Sequence, residues 1–215
     1  MGTSQSVEMQ QNFQDLAENT GFSLEQVRNL YKRFKYLAKD EDTLSKASFE
    51  TISDLAENPI KNQIINAFFD KRNFGNYEKG TVSEISFEQF LTVMSFFRPL
   101  GQDVKQEDKE KIRREKLHFL FNMHDKDGSG TITLDEYRRV VEELVSSSGT
   151  TESETAKVIA DAAMLEVMNV TMEEMGAHDG INFEDFFKIL KGFELESRMH
   201  VRFLNMDTTT MNCRK

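Results

Sequence analysis

Asp125, Asp127, Ser129, Thr131, Thr133 and Glu136 place oxygen donors along one twelve-residue stretch, Asp125-Lys126-Asp127-Gly128-Ser129-Gly130-Thr131-Ile132-Thr133-Leu134-Asp135-Glu136. Such a pattern suits a hard divalent cation, because Ca2+ takes about six to eight oxygens at roughly 2.3–2.6 Å. Asp125, Asp127 and Ser129 supply side-chain oxygens at positions 1, 3 and 5, and the Thr131 carbonyl serves at position 7. Thr133 acts at position 9, directly or through water, and Glu136 closes the sphere with both carboxylate oxygens at position 12. Gly130 permits the positive φ of the sharp turn. Ile132 is the apolar residue by which such loops pair across a short β-bridge, and Phe121 and Tyr137 bracket the loop on apolar helices. This is the spacing of an EF-hand calcium loop, with Mg2+ as a second ion for the same site.

Hands of this kind come in pairs, because each exposes an apolar face that a neighbour must cover. Setting an apolar residue at position 8 and an aromatic at position 13 recovers three relics. The first runs from near Leu37, with Phe49 as the aromatic and Ser48 where the closing Glu belongs. The second is defined by Ile85 and Phe90; its loop is over-long after Asp70 and ends in Gln89. The fourth runs from Glu174 to Asp185 with Ile181 and Phe186, but Gly176 and His178 stand at positions 3 and 5. None of the three carries a credible ligand set, which predicts four hands and one metal.

Helices must position these loops, and the periodicity supplies them. Val27, Leu30, Tyr31 and Phe34 fall at i, i+3, i+4 and i+7, as do Phe87, Phe90, Leu91 and Met94, and again Tyr137, Val140, Val141 and Leu144. Ser23 with Gln26 reads as a capping box. Strand signals are confined to pieces such as Thr131-Ile132-Thr133 and Gly180-Ile181-Asn182. The expected fold is all-α, a two-lobed four-EF-hand protein with paired hands, short β-bridges between loops and one intact Ca2+ loop. Breaks at Arg98-Pro99-Leu100-Gly101-Gln102 and at the loop Ser146-Ser147-Ser148-Gly149-Thr150-Thr151 interrupt the helical pattern. The expected boundaries are an arm over 1–22, an N-lobe with two degenerate hands over 23–97, and a linker over 98–111. A C-lobe over 112–193 carries the intact loop 125–136 and the degenerate loop 174–185, and a tail covers 194–215.

The 215 residues are long enough to bury a core, and 27 Lys+Arg against 37 Asp+Glu give a net charge of −10. From Glu142 to Asp185 eleven acidic residues face Lys157 alone, so the whole imbalance belongs to that segment. It reads as a solvated face or as a surface that attracts a basic partner. An acidic balance argues against a nucleic-acid partner. No apolar run reaches the ~18 residues of a membrane span. The lone Cys213 and a start without a basic-then-apolar leader predict a reducing, cytoplasmic setting. No nucleophile–base pair or cofactor loop suggests an enzyme.

Met1-Gly2-Thr3-Ser4-Gln5-Ser6 fits the N-myristoylation pattern, with Gly2 as the acceptor. One acyl chain binds membrane only marginally, so stable attachment requires a second contact. Met164, Met168, Met172 and Met175 share an arc of about 80° if 152–175 is helical. Two readings stand: a core stripe, or the wall of a groove that accepts a partner's amphipathic helix. The apolar tail from Met199 to Met206 either packs as a last element or lies in such a groove.

The chain resembles the calcineurin B homologous proteins over nearly its whole length. The likeness rests on Asn58-Pro59-Ile60, Ala67-Phe68-Phe69-Asp70, Phe96-Phe97-Arg98-Pro99, Glu115-Lys116-Leu117, the loop 125–136, Tyr137-Arg138, Val140-Val141-Glu142-Glu143-Leu144 and Met199 to Met206. A single intact hand matches a member of that family that has lost the last hand better than members that keep it. The resemblance implies a non-catalytic regulatory protein. It would bind the cytoplasmic juxtamembrane amphipathic helix of a plasma-membrane sodium/proton exchanger, promote the exchanger's maturation, surface stability and activity, and inhibit calcineurin through its catalytic chain. Carried onto this chain, Asp125, Asp127, Ser129, Thr131 and Glu136 hold the ion and Gly2 carries the lipid, with Ser129 departing from the commoner acidic residue. The expected location is the cytoplasm, peripheral at the plasma membrane through the myristoyl group, with the nucleus as a second compartment. The expected state is a monomer when not bound to a partner. Two alternatives remain: an activating regulatory partner of a calcineurin-like phosphatase, and a soluble Ca2+ buffer.

Overall fold

The computed structural model describes residues 2–56, 58–75, 78–98, 105–146, 153–175 and 180–199. They fall into two compact units. One is built from residues 2–56, 68–75, 78–98 and 197–199, the other from 58–67, 105–146, 153–175 and 180–196.

In the first unit the chain opens with α1 (Gly2–Thr20), inside the stretch expected as an arm. Phe13, Leu16 and Ala17, at i, i+3 and i+4, are buried, and the Phe13 ring lies 5.2 Å from Tyr31 and 6.1 Å from Phe87. α2 (Leu24–Leu37) begins with the expected capping box: the Gln26 N–H donates to Ser23 Oγ at 3.2 Å, and the Ser23 N–H donates to Gln26 Oε1 at 2.7 Å. β1 (Thr43–Ser45), α3 (Lys46–Glu50), α4 (Ser53–Ala56) and α5 (Lys61–Phe68) follow. Residues 58–67 cluster with the second unit, so all of α5 but its last residue, Phe68, belongs there. A 3-10 turn (Lys71–Phe74), β2 (Glu84–Ser86) and α6 (Phe87–Ser95) complete the first unit's main run.

β1 and β2 pair antiparallel with Leu44 opposite Ile85, and both side chains are fully buried. Under this bridge the rings of Phe34, Phe49, Phe68, Phe69 and Phe90 form the core, with centroids 4.8 Å apart for Phe49–Phe68 and 5.6 Å for Phe34–Phe90. Each ring so buried stabilises the fold by about 1.5–3 kcal/mol relative to exposure. The aromatics expected at position 13 of the first two hands, Phe49 and Phe90, are both among them.

In the second unit α7 (Gln106–His124) starts within residues 98–111, with Glu107 and Asp108 in its first turn where the helix dipole favours acids. β3 (Thr131–Thr133), α8 (Leu134–Ser146), α9 (Ser153–Met175), β4 (Gly180–Asn182) and α10 (Phe183–Ile189) follow, then a 3-10 turn (Leu190–Gly192); of α11 (Leu195–Arg198), only Leu195 and Glu196 cluster with this unit. β3 and β4 pair antiparallel with Ile132 opposite Ile181. Phe121, Ile132, Met164 and Ile181 form the buried centre, with Tyr137, Phe183, Phe186 and Ile189 packed against it. The fold is therefore mainly helical, with helix–loop–helix units whose loops are joined two and two by short bridges. No helix among the described residues is long and apolar enough to cross a membrane.

Candidate metal centre

The loop begins where α7 ends. The Asp125 N–H still donates to the Phe121 carbonyl at 2.9 Å, so the first carboxylate is tied through the last helical turn to a residue of the buried core. Gly130 sits at φ 88°, a conformation that side chains other than glycine's strain to adopt, and its N–H reaches Asp125 Oδ2 at 3.2 Å. Ser129 Oγ lies 3.4 Å from Asp125 Oδ1 and 3.0 Å from the Thr131 carbonyl oxygen. The Asp127 carboxylate accepts the Ser129 N–H at 2.8 Å. Carboxylate oxygens of Asp125, Asp127 and Glu136 lie within 4.8 Å of one another. The five residues expected to hold the ion are thus brought together by one turn and one bridge.

Glu136 serves the helix as well as the loop. Its Oε2 accepts from the Thr133 N–H and Oγ1 at 2.9 Å each, while the Glu136 N–H donates to Thr133 Oγ1 at 3.3 Å. This is a capping box at the start of α8. Its Oε1 accepts the Lys126 N–H at 2.7 Å and the Asp127 N–H at 3.3 Å. Asp125 and Glu136 are buried, 2% and 6% exposed, whereas Asp127 is exposed. Two buried carboxylates beside a third are costly without compensating charge, so the donor set fits a divalent cation of the oxygen-loving class. A bound ion would neutralise that charge, with Asp125, Asp127, Ser129, Thr131 and Glu136 as the groups to hold it. Beside the loop, burial pushes the His124 imidazole pKa down, opposed by its hydrogen bond to the Leu120 carbonyl at 2.7 Å.

The other loops keep the position 9–position 12 pairing without a comparable carboxylate cluster among the described residues. Ser86 and Gln89 form a capping box, with Ser86 N–H to Gln89 Oε1 at 2.9 Å, so the closing Gln caps α6. Ser45 Oγ and Ser48 Oγ lie 3.3 Å apart. Asn182 Nδ2 donates to Asp185 Oδ2 at 2.7 Å and the Asp185 N–H returns to Asn182 Oδ1 at 3.1 Å. Residues 176–179 of the fourth loop, Gly176 and His178 among them, lie outside the described residues.

Of the methionine stripe, Met164 is 2% exposed in the centre of the second unit, which is the core reading. The side chains of Met168, Met172 and Met175 lie outside the described residues, as does the tail from His200 to Met206. Gly2 is the first residue of α1. Sequence reasoning missed two fastenings around the site. Arg138 on α8 grips Asp161 on α9 with Nε–Oδ1 at 2.5 Å and Nη2–Oδ2 at 2.8 Å. Lys126, at loop position 2, lies 3.5 Å from Glu143. Partners 23 and 17 residues apart leave no local pattern to read.

Comparison with known proteins agrees with this geometry. The family model described as "EF-hand domain" matches residues 116–147, which span the end of α7, the loop and α8. A Xenopus tropicalis protein named "Calcineurin B homologous protein 3" is 50% identical over 208 residues, covering 95% of each chain. The Homo sapiens protein of the same name is 48% identical over 200 residues, covering 92% of this chain and 94% of its own. More distantly, a Naegleria gruberi protein named as a calcineurin subunit is 30% identical over 205 residues, covering 94% of this chain and 99% of its own.

Proposed function

Because the chain belongs to the calcineurin B homologous protein family, a family of Ca2+-binding regulatory proteins, we propose that it is a non-catalytic adaptor whose single loaded site is the loop 125–136. It binds the cytoplasmic juxtamembrane helix of a plasma-membrane sodium/proton exchanger, supports that exchanger's maturation, surface stability and activity, and inhibits calcineurin. The observation that carries the reading is the convergence of Asp125, Asp127 and Glu136 within 4.8 Å in a chain half identical to members of that family. The acidic run from Glu142 to Asp185 adds an attraction for a basic membrane-protein tail. Gly2 carries a myristoyl group, and the protein partner supplies the second contact that one acyl chain needs for stable attachment. The protein works in the cytoplasm at the plasma membrane, and in the nucleus as a second compartment. Mg2+ competes for the same loop.

Calorimetry with an exchanger juxtamembrane peptide, in Ca2+ and in EDTA, tests this. Binding in at least one condition is expected, and no binding in either would sink the adaptor reading. The Naegleria gruberi relative, named as part of calcineurin itself, favours a second reading, an activating partner of a calcineurin-like phosphatase. A phosphatase assay titrated with the protein decides by its sign.

A further inference from the structure

The two loops of the first unit hold no cluster of three carboxylates among the described residues, yet β1 and β2 are paired as closely as β3 and β4. Something other than a divalent ion must gather their polar groups.

In the first loop that role falls to Lys35, on the last turn of α2. Its Nζ donates to the carbonyl oxygens of Asp40 and Glu41 at 3.0 Å each and to Asp42 Oδ1 at 2.8 Å. Three donors meet three oxygens, which is the full capacity of an ammonium group. The backbone bends to make this possible. Lys39 and Asp40 sit at φ 53° and 67°, the only described residues other than glycine with positive φ. These left-handed residues close α2 as a helix C-cap, with the Lys39 N–H on the Tyr36 carbonyl at 3.3 Å and the Asp40 N–H on the Lys35 carbonyl at 2.9 Å. The chain leaving the cap presents the Asp40 and Glu41 carbonyls to the Lys35 ammonium. Asp42 is almost wholly exposed, so its ion pair alone is weak; the two carbonyls make the site.

In the second loop the cation is Arg72. Asp70 follows the entering helix as Asp125 follows α7, in the place of a first metal ligand. Both its oxygens are taken by one guanidinium: Nε at 3.1 Å from Oδ1 and 3.0 Å from Oδ2, Nη2 at 2.6 Å from Oδ2. The Arg72 N–H adds a bond to Oδ1 at 3.0 Å. The two side chains are only 12% and 14% exposed, so this forked pair is shielded and stronger than a surface one. Lys71 N–H to the Gly80 carbonyl and Val82 N–H to the Phe69 carbonyl, both 2.9 Å, close the loop base around it.

We propose that side-chain cations built into the chain, Lys35 in the first loop and Arg72 in the second, do for these loops what a bound metal does for a calcium loop. The β1–β2 pair is then closed at all metal concentrations, and the metal response of the protein is confined to its second unit.

Hydrogen exchange by mass spectrometry on the full chain tests this in peptides covering Thr43–Ser45 and Glu84–Ser86. Exchange there is expected to be the same in Ca2+ and in EDTA. Lys35→Met and Arg72→Met, which keep the stem and remove the cation, are expected to speed it about tenfold in both conditions, each singly and further together. Faster exchange of these wild-type peptides in EDTA overturns the proposal, and this arm needs no variant to fold. So does unchanged exchange in the variants, or an acceleration spread evenly through α7 and α8 rather than centred on β1 and β2.

Discussion

Gln63 on α5 donates its side-chain amide to Glu143 on α8 at 2.6 Å, across 80 residues of sequence. Gln63 is 4% exposed, so its amide has no water to fall back on. The same carboxylate lies 3.5 Å from the Lys126 ammonium at loop position 2. Removing the acceptor strands a buried donor, which costs about 1–3 kcal/mol, whereas removing both partners costs less. Glu143→Ala is therefore expected to lower unfolding stability by about 1–3 kcal/mol. Gln63→Met, which buries an apolar stem, should cost less than that. Urea titration of the two single variants and the double variant measures the difference.

Glu136 has two duties that substitution can separate. Glu136→Gln keeps a residue competent for the capping box with Thr133 but removes the anionic charge and one ligand oxygen. Loss of groups that merely orient ligands weakens metal sites about 10–100-fold, so loss of Glu136, proposed as a direct ligand, should exceed that range. Glu136→Ala abolishes binding to the same degree and also removes the cap. Calorimetry should find neither variant binding Ca2+ measurably. Denaturation in EDTA should find the Ala variant about 0.5–2 kcal/mol less stable than the Gln variant.

The closing position also explains what is legible in the sequence and what is not. Positions 9 and 12 form a local pair three residues apart, so Thr133–Glu136, Ser86–Gln89 and Asn182–Asp185 are visible as patterns, and with them the loop registers and the Leu44–Ile85 and Ile132–Ile181 bridges. Ser48 and Gln89 read as lost ligands, yet Gln89 is a working helix cap, because the capping duty survives when the charge is gone. α1 is legible in the spacing of Phe13, Leu16 and Ala17 but reads as an arm, since its few apolar residues gain meaning only against Tyr31 and Phe87. The built-in cations are not legible at all. Lys35 reaches its partners because the chain leaves α2 through a left-handed cap at Lys39 and Asp40, and nothing in the local sequence pairs its ammonium with the carbonyls of Asp40 and Glu41.

Acid should loosen the contact between α8 and α9. The hydrogen bonds from Arg138, and then its charge, hold the Asp161 carboxyl below the usual carboxylate range, and Asp161 in turn raises the guanidinium's pKa. A carboxyl depressed in the folded state binds fewer protons there than in the unfolded chain between the two pKa values. Its contribution to stability is thus complete above its unfolded pKa of about 4 and is lost as pH falls through the lower folded value. Asp161→Asn should reduce the acid sensitivity of unfolding in that window and leave the slope above about pH 5 unchanged. Denaturation curves of the two proteins at a series of acidic pH values check this, since their difference cancels the many other carboxyls.

Gly21 should tolerate alanine poorly for two separable reasons. It ends α1 at φ 70°, where an L-residue costs about 1–2 kcal/mol. A Cβ there would also overlap the Arg98 guanidinium, whose Nη1 donates to the Gly21 carbonyl. Burial pushes the Arg98 pKa down, so this group has already given up part of its hydration, and the Gly21 carbonyl supplies one of its hydrogen bonds. The backbone part persists whatever stands at position 98, while the steric part vanishes with the guanidinium. In an Arg98→Ala background Gly21→Ala should therefore cost only the backbone share, and in the wild-type background distinctly more. A double-mutant cycle on thermal or urea unfolding reads the difference as a coupling energy, expected at about 0.5–3 kcal/mol for residues in contact. A coupling indistinguishable from zero would mean that Arg98 moves aside freely and that only the turn, not the clasp on it, requires glycine.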